Sequence, residues 1–320
     1  MSKWKTRLIE MYRCLSIPYR QARYVRMVNR GQVPVIVLFY HRVSDQWPNR
    51  WTISCKDFER QINWLESTFE IVDLNECQRR IESGHNSVPT LAITFDDGYA
   101  ENCEFALPLL IERRIPVTYF VTTQHTVYQQ PFQHDLDVGQ RLATNTIESL
   151  RALDLAGVEI GAHTRTHPDL GAIKCPQKLV DELVHSSNEM SKRIGRKIQH
   201  FAFPFGQLSN LNQDAFNILK EAGFKSVCSA YGGWNAIGQE SFHLQRLHGD
   251  PNFSRIRNWL TFDPRIDRVK RFDYSGSQLT SEEIRKLIRD VPPISQPPGK
   301  TIVPADLSDP LSASWMPLEN

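Results

Sequence analysis

The chain has 320 residues, 40% apolar and 23% charged, with a formal net charge of +2. That balance is ordinary for a globular protein, the charge argues neither for nor against nucleic acid, and no apolar run approaches the roughly 18–20 residues that span a bilayer. No nucleic-acid partner and no transmembrane segment are expected, and the length allows one barrel-sized domain or two smaller ones.

The first 30 residues carry eight Lys/Arg against the single Glu10. They lack the apolar core and small-residue cleavage site of a signal peptide, so a cytoplasmic chain is expected. Trp4, Leu8, Ile9, Met11, Tyr12 and Leu15 recur at helical spacing. Segment 1–32 reads as a basic helix. It either packs on the main domain with its charges solvated, or lies on anionic lipid at the inner membrane face or on an acidic partner.

From residue 33 strands and helices alternate. PVIVLFY (34–40) is a buried strand, DFERQINWLESTF (57–69) a helix with its apolar face at 58, 62, 65 and 69, and EIVDL (70–74) a short strand. NECQRRIESG is a helix stopped by Gly84, LAITF the next strand, and ENCEFALPLLIERR the next helix. VTYFVTT (117–123), VEIGAH (158–163), QHFAFP (199–204) and FKSVCS (224–229) are further strands, and another lies near 242–247. NTIESLRALDLAG, QKLVDELVHSSNEMSKRIG and QDAFNILKEAG are helices. The strands are apolar throughout, as in a parallel sheet covered on both faces by helices, and about seven such units favour closure into a barrel. After about residue 265 charges dominate (DPRIDRVKRFDY), and the proline-rich run that follows reads as extended or disordered. The expected organisation is a helical segment 1–32, a barrel domain 33–265 and a tail 266–320. Cys14, Cys55, Cys77, Cys103, Cys175 and Cys228 form no CxxC pair. That excludes a zinc ribbon and leaves free thiols as the default.

Polar residues of distinctive kinds end several strands, where sites form in parallel βα sheets. LAITF ends in Asp96-Asp97-Gly98, which is either a helix cap or a pair of carboxylates turned into one mouth. VEIGA ends in His163-Thr164-Arg165-Thr166-His167. Histidines at i and i+4 can share a metal ion, and Pro168 places them in a loop rather than a helix. QHFAF ends in Pro204-Phe205-Gly206, a plain turn or a wall that aims a backbone N–H at an oxyanion. The first strand ends in Tyr40-His41-Arg42-Val43, and the last in Arg246-Leu247-His248-Gly249-Asp250. Histidines in such places are usually packing residues. Trp47, Trp51 and Trp234 either stack on sugar rings or pack in the core.

TFDDG, HTRTH and FAFPFG, in that order after a YHRV strand, resemble the polysaccharide deacetylase family, the carbohydrate esterases that share the chitooligosaccharide deacetylase homology domain. The resemblance covers about residues 33–250 and is nearest to the branch whose third motif reads FAYPYG. It implies a distorted (β/α)7 barrel with mostly parallel strands and a divalent metal, zinc before cobalt, nickel or iron. By matched position it implies Asp97, His163 and His167 as metal ligands, Asp96 as general base and Thr164 as support for the metal loop. Phe205, between Pro204 and Gly206, replaces a tyrosine whose backbone N–H holds the oxyanion, and Tyr40 lines the substrate side. The general acid is His41 or His248, with His41 favoured. Many members carry an arginine two residues before the turn's proline to brace the base, and here that position is Ala202, so the brace must come from elsewhere. The implied reaction is metal-dependent removal of N-acetyl groups from an N-acetylhexosamine glycan or glycolipid. The same site would serve an O-acetyl ester, and a catalytically silent glycan-binding protein is the remaining alternative.

Overall fold

VIVLFY and TLAITF bury every side chain along their length, so both strands must be covered on two faces. In a computed structural model, which describes residues 3–266, 269–290 and 292, they are neighbours in a parallel sheet, each paired on both sides. The strands are β1 (Val35–Tyr40), β2 (Arg42–Val43), β3 (Thr52–Ile53), β4 (Glu70–Ile71), β5 (Thr90–Phe95), β6 (Val117–Val121), β7 (Glu159–Ala162), β8 (His200–Ala202), β9 (Ser226–Cys228), β10 (His243–Leu244) and β11 (Leu247–His248). The main sheet runs β10-β9-β8-β7-β6-β5-β1-β11, with β4 paired to the start of β5 and the short pair β2-β3 apart from it. The pairings between these strands are parallel, and the sheet curls into the expected (β/α)-barrel-like fold.

Period-two alternation divides the apolar residues. Ile36, Leu38, Tyr40, Leu91, Ile93 and Phe95 pack outward in the large core under the helices. Val35, Val37, Ala92, Phe120, Ala202, Cys228 and Leu244 form a second cluster inside the curl. The helix Leu74–Glu82 adds Leu74, Cys77 and Ile81 to that inner cluster, and its Gln78 donates to the carbonyls of Lys225 and Ser241. It thus plugs the end of the barrel opposite the strands' carboxyl ends.

The expected strand near 242–247 is two short strands with Gln245 and Arg246 between them. β10 pairs β9 and β11 pairs β1, so segment 243–248 crosses from one edge of the sheet to the other and joins them. The expected helix ENCEFALPLLIERR is also interrupted. A 3-10 turn at Ala100–Cys103 precedes the helix Ala106–Glu112, with Phe105 neither helical nor extended at the junction (φ −141°, ψ −55°). The expected helix over QKLVDELVHSSNEMSKRIG carries a π-helical turn at Asp181–His185. Within the expected extended tail, Ser281–Asp290 is a helix. Ile284 is buried in the core and Arg285 pairs with Glu221 at 2.9 Å. The proline-rich run beyond it lies outside the described residues, apart from Pro292.

The N-terminal helix spans Lys3–Arg30. Its inner face is polar where it meets the helix Phe253–Leu260. Arg20 donates to the Asn258 carbonyl and side chain (2.8 and 2.7 Å), and Tyr12 donates to Asp263 (3.1 Å). Tyr24 stacks on Phe262 at 5.1 Å. Burial by itself would raise the Asp263 carboxyl, but hydrogen bonds from Arg265 and the charges of Arg265 and Arg20 outweigh it and hold it below the usual carboxylate value. The stability so gained is present above the unfolded-state pKa of about 3.9 and is lost as pH falls through the lower folded value. Urea unfolding at pH 6 and pH 3 should therefore show the wild-type chain's advantage over Asp263→Asn shrinking at the lower pH. An equal advantage at both would refute the linkage.

Candidate active site

Asp96 continues the inward alternation of Ala92 and Thr94 beyond the end of β5. Asp97 would point outward, but its backbone turns to φ 72° with Gly98 at φ 81°, and both carboxylates enter one buried mouth, each 4% exposed or less. His163 extends the inward row of β7. Thr164 (φ 67°), His167 (φ 58°) and Phe205 (φ 59°) share the left-handed conformation with Asp97. These are half of the eight non-glycine residues so placed among the described residues, and strain gathered on one mouth marks it as the functional end.

His163 and His167 both present Nε2 to Asp97 Oδ1, each at 3.3 Å. Neither contact has hydrogen-bond geometry, so Oδ1 is buried without a donor among the described residues. The three donor atoms lie within 4.8 Å of one another. Ligands about 2.0–2.2 Å from a shared tetrahedral ion stand about 3.3–3.6 Å apart. The orphaned oxygen and the 3.3 Å spacings therefore fit a divalent cation held by Asp97, His163 and His167. Burial would raise the Asp97 carboxyl, yet the close imidazoles hold it well below the ordinary carboxylate value. Burial dominates at His167 and lowers its pKa.

The surroundings fix these side chains. His163 Nδ1 meets the carbonyl of Ala202 at 2.8 Å, which turns Nε2 towards Asp97. Thr164 Oγ1 accepts from the His167 N–H at 3.0 Å and closes the loop between the two histidines. The π-helical turn supplies two acids to the same loop. Glu182 accepts from the N–H groups of Arg165 and Thr166 (3.0 and 2.9 Å), and Asp181 pairs with Arg165 at 2.8 Å. Sequence reasoning did not find these two acids, because a π-turn has no signal in an otherwise regular helical pattern.

Arg246 is the brace that Ala202 does not provide. It donates from Nη1 to Asp96 Oδ1 at 2.7 Å and from Nη2 to Oδ2 at 2.8 Å, and also to Thr94 Oγ1 and the Ser229 carbonyl. The guanidinium is fully buried and lies over the rings of Phe39 and Phe120 at 4.8 and 5.4 Å. Burial alone would raise Asp96, but the Arg246 charge outweighs it and keeps the carboxylate ionised. Its signal was present in the sequence. Arg246 and His248 stand two apart at the closing strand and share a face.

His41 and His248 flank the mouth, with rings 6.1 Å apart. Trp51 packs against both, at 4.7 and 5.6 Å. The charges acting most on His41 are those of Asp97 and Asp96, whereas His248 answers first to His41 and Asp250. Burial lowers both, His248 to about 4. Phe205 is 53% exposed, its ring 5.0 Å from His167, and its N–H is bonded to no other described residue. Gly206 is required there, since at φ 59° a Cβ would sit 2.6 Å from Ala230 N. Pro204 is buried behind the turn, its carbonyl accepting from the Gly206 N–H. On the far rim Tyr99 Oη meets Asp135 at 2.7 Å and His134 Nε2 at 3.0 Å.

One expectation is corrected, and one open alternative is closed. Tyr40 does not face the mouth: alternation sends it outward, where it packs on Phe58 and Phe95 and donates to Gln61 at 2.8 Å. Its neighbour Phe39 is the inward residue. Trp234 is 7% exposed and packed against Phe262 and Arg23, so it offers no face to a sugar. Trp47, 63% exposed, remains free to do so.

A family profile for polysaccharide deacetylase matches residues 83–227, a span that holds both aspartates, both loop histidines and the Phe205 turn. Across residues 83–227 the chain is similar to the polysaccharide deacetylase family. The chain is 25% identical, over 220 residues, to the poly-β-1,6-N-acetyl-D-glucosamine N-deacetylase of Staphylococcus aureus strain MRSA252, a match covering 66% of this chain and 70% of that protein. Its fold resembles IcaB from Ammonifex degensii, with TM-score 0.60, 21% identity and 71% and 97% of the two chains covered. It also resembles the Streptococcus pyogenes deacetylase PplD, solved in complex with acetate, with TM-score 0.59, 19% identity and 71% and 98% covered. His41, Arg246 and His248 lie outside the profile match, so their assignment rests on the geometry above.

Proposed function

We propose that this chain is a divalent-metal-dependent hydrolase that removes N-acetyl groups from an N-acetylhexosamine glycan or glycolipid. The observation that carries the reading is the buried Asp97–His163–His167 cluster beside an Asp96 gripped on both oxygens by Arg246. The poly-N-acetylglucosamine deacetylase named among its relatives supports an amide-linked acetyl group as substrate. Zinc is the first candidate for the ion, which when bound would supply charge that polarises the acetyl carbonyl and acidifies water.

The chain's own groups do the rest. Asp96 accepts a proton from the water that adds to the carbonyl carbon. The Phe205 N–H donates to the carbonyl oxygen as negative charge develops there. His41, which of the two flanking histidines feels both aspartates more strongly, gives a proton to the departing amine as the carbon–nitrogen bond breaks. Acetate and the free hexosamine amine are the products. A silent binding protein drew support from the missing arginine at Ala202 and from the choice of acid left open between His41 and His248, and the Arg246 contact to Asp96 speaks against the first of these.

The test is acetate release from N-acetylglucosamine oligomers. Chelator-treated protein should be inactive and should recover with added Zn2+ or Co2+, while acetylated xylan should be a poorer substrate. Activity unaffected by metal removal would sink the reading, and a preference for the ester would replace it with the O-acetyl esterase.

A further inference from the structure

We propose that the outer face of the N-terminal helix docks on an anionic lipid surface, a role that does not depend on the reaction assigned above. Trp4, Leu8, Met11, Leu15 and Tyr19 are 60, 46, 54, 76 and 60% exposed. At 3.6 residues per turn they fall within an arc of about 80°, on the side away from Arg20 and Tyr24. Uncovered apolar side chains aligned along one helix mark an interaction surface. Lys5 and Arg7 border the stripe at its start, and exposed Arg26 and Arg30 continue its line at the other end. Glu10, the helix's single acid, is bonded to Ser254.

Charge selects the occupant. A second copy laid on this stripe, parallel or antiparallel, would bring arginines and lysines against each other at both ends. An anionic bilayer offers apolar depth for the stripe and negative head groups for its cationic border. Trp4 and Tyr19 at the ends of the stripe suit the interfacial zone. The helix crosses the barrel lengthwise. Thr6 and Glu10 bond to Asn252 and Ser254, just beyond the end of β11, and Arg30 leads into β1. Lipid contact along it would lay the barrel on its side, with the catalytic mouth opening close to the membrane plane.

Co-sedimentation of the full chain with phosphatidylglycerol and phosphatidylcholine vesicles tests this. Binding to the former, weakened by salt, is expected, with little to the latter. Leu8→Glu/Leu15→Glu should bind at least ~10-fold more weakly while keeping its melting temperature and its acetate release from soluble oligomers. No binding by the wild-type chain, or equal binding by the variant, overturns the proposal. So does a wild-type dimer that the variant converts to monomer without any vesicle binding.

Discussion

Arg246→Met is expected to lower stability by about 3–5 kcal/mol and turnover by about 10²-fold, with glycan KM and metal content little changed. The arginine is fully buried and satisfies both oxygens of a buried carboxylate. Methionine fills much of its volume but leaves the Asp96 charge unpaired, and that loss dominates. Arg246 contacts none of Asp97, His163 and His167 by hydrogen bond, so the metal should stay. A base no longer held on two oxygens wanders, and a displacement of about 1 Å is enough for the loss in turnover. In the double variant Asp96→Asn/Arg246→Met the unpaired charge is gone, so part of the stability should return while turnover stays low. Urea titration with kcat and KM for the three forms measures this. Additive stability effects, or a fall confined to KM, would show that Arg246 does not position the base.

The second large effect separates two adjacent carboxylates. Asp96→Asn should cut acetate release by on the order of 10²–10⁴ and keep bound metal near the wild-type level. Asp97→Asn should lose both, because Asp97 Oδ1 is the atom that both histidines face. Metal analysis of the purified proteins, alongside turnover at saturating Zn2+, distinguishes the two. Matching metal loss in both variants would mean that Asp96 is a ligand and that the base lies elsewhere.

Much of this site was legible in the sequence for a physical reason. Asp96, Asp97, His163 and His167 end strands whose apolar runs had to be central, and the carboxyl ends of central parallel strands converge. What was hidden depended on which face a residue takes or on local irregularity. Tyr40 was placed with the substrate although Phe39 and His41 flank it, and alternation then sends it outward. Arg246 was overlooked beside His248 because two residues interrupt the last strand pairing. Asp181 and Glu182 grip the histidine loop from a π-turn, which leaves the helical pattern of QKLVDELVHSSNEMSKRIG unaltered to the eye. SEEIRKLIRD places Ile284, Leu287 and Ile288 at helical spacing against the core, a pattern masked by the charged and proline-rich stretches around it.

Segment 243–248 also bears on how the chain survives before it is finished. Until it arrives, β9 and β1 each present an unpaired row of backbone groups, and such edges recruit other chains. Six residues from late in the sequence cover both rows at once. The same stroke carries Arg246 to Asp96 across 150 positions of sequence. Contacts that distant form late, so a nascent or partly opened chain is both adhesive and inert. Sealing the sheet against its neighbours and seating the proposed base are one event.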